Sequence, residues 1–105
     1  MQEQFDSISK FLYNKEKNIL RDIMDYTYDT QLLIEGKNLD DAKIKKYITE
    51  NIEGDCLLVV GDDELIKLHF HTNTPWKVLE YCASLGDVYD VVIENMVRQA
   101  NGLQG

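Results

Sequence analysis

Proline occurs once in these 105 residues and glycine six times, too few for a collagen-like repeat or a disordered chain rich in the two. Cysteine occurs twice, and no CxxC or other metal-type spacing links Cys56 to Cys82. Both lie among apolar neighbours, in Cys56-Leu57-Leu58 and Tyr81-Cys82-Ala83, so two buried free thiols are expected rather than a disulfide. No uninterrupted apolar run approaches the roughly 20 residues that span a bilayer. Residues 1–10 carry acids and lack the apolar stretch of a secretion signal. A cytoplasmic chain without membrane insertion is expected. Basic residues are also scarce: 11 against 19 acids leave a net charge of −8, which repels phosphate backbones and anionic surfaces at long range. That balance argues against nucleic acid as a partner. The sequence has no phosphate-gripping loop, no dinucleotide fingerprint and no Ser/His/Asp or Cys/His nucleophile set. Asp62-Asp63-Glu64 has too few carboxylates for a calcium loop. No catalytic residue and no certain cofactor is assigned, and the chain alone is not expected to be an enzyme.

What remains is one small α+β unit. A 44% hydrophobic content supports a core, while a domain this short leaves much of its surface wet and any cleft shallow or shared. Over residues 1–24, Phe5, Ile8, Leu12, Ile19 and Ile23, interrupted by the charged patch at residues 14–18, predict one helix, or two short ones, leading into the domain. The domain itself is placed at residues 25–99, with a tail over 100–105. A first strand is predicted over residues 26–34, with Tyr26, Tyr28, Leu32 and Ile34 on one face and Thr27, Asp29 and Gln31 on the other. Asp40 can cap a helix whose stripe is Ile44, Tyr47, Ile48 and Ile52, ended by Gly54. Residues 56–60 and 65–71 form a hairpin about Gly61-Asp62-Asp63. Thr74 and Pro75 open a second helix with Val78, Leu79, Cys82 and Leu85 inward, closed by Gly86, and residues 88–96 make a last strand. The order β-α-β-β-α-β predicts a ferredoxin-like antiparallel sheet with both helices on one face.

In that fold strands one and three are central neighbours. Ile66, Leu68 and Phe70 face one way, and Lys67, His69 and His71 the other. Asp29, His69 and His71 then share a polar face, and two imidazoles with one carboxylate suit zinc or another late divalent metal with one position open. The alternative is a polar face covered by a partner. Thr72-Asn73-Thr74-Pro75 opens a helix and reads either as an anion site or simply as a cap. Trp76 reads either as an interface anchor or as cover for the sheet edge.

The stretch from Gly54-Asp55-Cys56 through His69-Phe70-His71-Thr72-Asn73-Thr74-Pro75, with Lys77-Val78-Leu79-Glu80-Tyr81 and Ile93-Glu94-Asn95-Met96, resembles the middle domain of the kinase subunit of bacterial fatty acid kinase. That family is also called dihydroxyacetone kinase-like or Dak phosphatase-like. The resemblance covers residues 26–99. It implies a non-catalytic linking and dimerising domain, with a kinase domain and a DegV-like fatty acid-binding protein as partners in an assembly that makes acyl phosphate. It further implies a motif over His69, His71, Thr72 and Asn73, with a strand-one cysteine as partner of the histidines. Here Tyr26-Thr27-Tyr28-Asp29-Thr30-Gln31 departs from the family's Tyr-Gly-Tyr-Cys-Thr-Glu, and Trp76 stands where glycine is frequent. The site is then either retained with an altered metal preference or reduced to a structural remnant. A metal-binding module using Asp29, His69 and His71 is the alternative function.

Overall fold

The computed structural model describes residues 25–105; the one or two helices expected over residues 1–24 lie outside them. The elements run β1 (Tyr28–Glu35), α1 (Asp41–Asn51), β2 (Gly54–Gly61), β3 (Leu65–Thr72), α2 (Pro75–Ala83), β4 (Asp87–Asn95) and α3 (Met96–Ala100). The sheet is antiparallel in the order β2-β3-β1-β4. Through β4 this is the expected ferredoxin-like arrangement, with β1 and β3 inside.

Alternation divides the two sheet faces. Leu32 and Ile34 of β1 and Ile66, Leu68 and Phe70 of β3 pack with Ile44 and Ile48 of α1 and Val78 and Cys82 of α2 in one core. Burying each large apolar side chain contributes about 1.5–3 kcal/mol, which holds both helices on that face. Asp40 caps α1 as expected, its Oδ1 accepting from the Ala42 and Lys43 N–H groups at 3.0 and 3.2 Å. The helix ends at Asn51 with Ile52 as its extended C-cap, and Gly54 opens β2. A side chain at Gly54 would run into the Phe70 ring and the His71 carbonyl, so the strands approach there as only glycine permits. Tyr47, expected inward, stands at the rim and stacks on Tyr81 with ring centroids 3.8 Å apart. Thr74 occupies the N-cap position of α2 without a capping bond from its side chain. The unexpected α3 starts where Asn95 Oδ1 accepts the Arg98 N–H at 3.0 Å.

Both edge strands bulge. Cys56 and Leu57 lie opposite Phe70, and Asp90 and Val91 lie opposite Leu32. In each pair the first residue has positive φ, 54° at Cys56 and 50° at Asp90. The extra residue interrupts alternation, so Cys56 is exposed and not buried as its apolar neighbours suggested. The face away from the helices also differs from the expected polar one. Asp29, His69 and His71 occupy one end of it. Leu58, Val60, Tyr89 and Val92 stand exposed over the rest, at 50%, 44%, 38% and 45%.

Candidate metal centre on the open sheet face

Register brings the three residues singled out in the sequence together. Asp29 pairs directly with His71, and Gln31 with His69, so both imidazoles and the carboxylate rise from adjacent central strands on the same face. His69 Nε2 and His71 Nε2 are 3.1 Å apart. Asp29 Oδ1 lies 3.4 Å from the first and 3.8 Å from the second. Bonds of roughly 2.0–2.1 Å in a tetrahedral zinc site put neighbouring ligand atoms about 3.3 Å apart. The three atoms therefore match the spacing of one face of such a tetrahedron, with its fourth corner left open.

One atom distinguishes this cluster from a hydrogen-bonded surface group. Asp29 Oδ1 is buried and lacks a hydrogen-bond partner, whereas Oδ2 of the same carboxylate accepts from Gln31 Nε2 at 3.5 Å. A buried carboxylate oxygen without a donor costs free energy, and a cation between it and the two ring nitrogens would remove that cost. Gln31, where the family resemblance expects an acid, thus holds the carboxylate in place. Thr30 Oγ1, on the helix side, is the other unpartnered buried side-chain atom among the described residues, and no titratable group of the cluster lies on that side.

Two further groups border the cluster that spacing alone did not reveal. Asp55 Oδ1 lies 3.6 Å from His71 Nδ1, and Asp55, Cys56 and His71 each offer a ligand atom within 4.8 Å of the other two. Desolvation first, then the Asp55 charge and hydrogen bond and the Asp29 charge, push the Cys56 thiol above its ordinary value. The only sequence signal for this group was the polar Asp55 before an apolar run, and strand alternation would have turned Cys56 away.

The remaining motif residues serve the backbone around the site. Thr72 is fully buried, and its hydroxyl donates to the Glu53 carbonyl at 2.8 Å. Asn73 Oδ1 accepts the Thr27 N–H at 2.8 Å while Nδ2 donates to the Asp25 carbonyl at 3.2 Å, which ties the start of β1 to the end of β3. Trp76 is 59% exposed on the first turn of α2. A surface depression of about 660 Å³ lies at the opposite end of the sheet, among Glu35, Lys37, Asp62, Asp63 and Glu64, where four carboxylates outnumber one ammonium and disfavour an anionic ligand.

Residues 25–103 match the family of FakA-like middle domains, the central part of a fatty acid kinase subunit. The chain belongs to this family. Similar proteins include an uncharacterized protein of Staphylococcus haemolyticus strain JCSC1435, 36% identical over 76 residues, and one of Staphylococcus aureus strain USA300, 35% identical over 78 residues. Each alignment covers 70% of this chain and 14% of the relative. The FakA-like middle domain is thus a small part of those relatives' length. No helix among its described residues is long and apolar enough to cross a membrane.

Proposed function

We propose that this middle domain is a non-catalytic linking module of a fatty acid kinase-like protein, and that Asp29, His69 and His71 hold a divalent cation of the zinc type on its open sheet face. The observation that carries the metal reading is the buried, unpartnered Asp29 Oδ1 facing both Nε2 atoms. Two imidazoles and one carboxylate leave an open coordination position, filled by water or by a ligand from whatever docks there. The cation would offset the local negative charge and orient the face. Leu58 and Val92 stand in the cross-strand row of His69, Val60 and Tyr89 one row further along the face, and all four are exposed and supply contact area for a neighbour. On this reading the neighbours in the full assembly are a kinase domain, a DegV-like fatty acid-binding protein and a second copy of the domain.

Calorimetry of metal-free protein with and without zinc tests the site. Zinc at a hundredfold excess over its Kd stabilises a folded state that alone binds it by about 2.7 kcal/mol, and a domain of this size then melts roughly 10–20 °C higher. Acid should abolish the gain, since protonated imidazoles cannot ligate. Asp29→Ala should lose the zinc response while its metal-free melt changes little. A wild type indifferent to zinc, or an Asp29→Ala variant that keeps the full response, overturns the assignment.

A further inference from the structure

The two nitrogens of His71 look in different directions. Nε2 belongs with Asp29 and His69, while Nδ1 lies 3.6 Å from Asp55 Oδ1. Next to Asp55 in β2 stands Cys56, whose ligand atom lies within 4.8 Å of those of both Asp55 and His71. We propose that Asp55, Cys56 and the Nδ1 edge of His71 form a second cation site, selective for soft, thiophilic metals such as cadmium.

Three features of β2 build it. First, the bulge opposite Phe70 sets Cys56 on the same face as Asp55, which regular alternation would forbid. Second, Cys56 holds a φ of 54°, a conformation that glycine adopts at no steric cost in this kind of bulge. Third, Asp55 and Cys56 are exposed at the sheet edge, so a hydrated cation reaches them without opening the core. The donor set is one thiolate, one imidazole and one carboxylate. Sulfur is the softest of these and favours soft cations such as cadmium over magnesium and calcium. On binding, the Cys56 S–H proton passes to water and the sulfur lone pair bonds the metal.

The site does not depend on Asp29. A neutral imidazole has one nitrogen lone pair, so a metal on Nδ1 leaves the proton on Nε2 and withdraws His71 from the Asp29 and His69 set. Each chain therefore holds a cation in one place or the other, and not in both at once.

Cadmium titration of the full chain, read by the ultraviolet thiolate-to-cadmium charge-transfer band, tests this. The wild type should give a saturable band at one cadmium per chain. Cys56→Ser should lose the band and keep the zinc-induced rise in melting temperature assigned to Asp29. Asp29→Ala should keep the band. Asp55→Ala should weaken cadmium by about tenfold or more, the least that removing even an outer partner of a metal ligand costs. Metal-free melts establish that each variant folds. No band in the wild type, a band that survives Cys56→Ser, an unchanged cadmium affinity in Asp55→Ala, or two cadmium ions per chain would each overturn the proposal. Loss of the zinc response in Asp29→Ala beside an absent cadmium band would sink this site alone.

Discussion

The two cysteines, similar in sequence surroundings, have opposite fates. Cys82 is fully buried in the core, and burial pushes its thiol up to about 12, so it stays protonated and inert. Cys56 stands exposed at a bulge. A thiol reagent should therefore modify one of the two thiols in the folded chain and both in denaturant; rapid loss of both under native conditions would contradict the packing of α2. Asp62 offers a second test. Its Oδ1 accepts the Glu64 and Leu65 N–H groups, each at 2.9 Å, and these bonds hold its carboxyl below the ordinary 3.8. A depressed folded value stabilises the protein above the unfolded value, and that contribution fades as pH falls through the folded one. Asp62→Asn should melt lower than wild type at neutral pH, with the difference shrinking below about pH 4. A difference independent of pH would assign the effect to the turn's shape instead of its charge. Asp29, His69 and His71 were legible because a two-residue period within β3 and the pairing of β1 with β3 follow from pattern alone. Cys56 was not, because a bulge has no periodic signature.

Each helix is seated on the sheet by a few fully buried side chains, so single changes in them should be costly. Ile48 is fully buried on α1, and Ile48→Ala should cost about 2–5 kcal/mol in denaturant unfolding; less than 1 kcal/mol would mean that α1 is not seated on the sheet. Gly54→Ala acts differently. Its new methyl would meet the Phe70 ring and the His71 carbonyl, forcing β2 away from β3 beside the histidines. The variant should lose stability and weaken the zinc response together, whereas a normal zinc response would show that β2 placement does not matter to the Asp29 site. Caps and strands were readable from sequence where a local bond sets them, as at Asp40. Helix ends were read less well. Gly54 carries an ending signal, but its absent side chain is required by the close approach of β3.

The domain presents one covered and one open sheet face. The open face carries exposed Leu58 and Val60 on one edge strand and Tyr89 and Val92 on the other, and a second copy seated there would bury them. Light scattering should then give the mass of a dimer, with Val60→Glu combined with Val92→Glu giving monomers of unchanged circular dichroism. A monomeric wild type would remove the dimerising role while leaving the metal site standing. Pure chain should not turn over ATP, as the sequence has no phosphate-gripping loop. Sustained turnover by rigorously pure protein would overturn the non-catalytic reading.

The order of elements, the split of β3 into core and open sides and the residues that could ligate a cation are written in the chain, because each follows from local periodicity and from pairing rules that alternation enforces. The spacing of the donor atoms, the orphaned oxygen of Asp29, the exposure of Cys56 and the apolar side chains exposed on the open face required the folded chain. These depend on where bulges shift the register of β2 and β4 and on which side chains neighbouring strands bring alongside, and sequence distance does not encode contacts between residues that are remote along the chain.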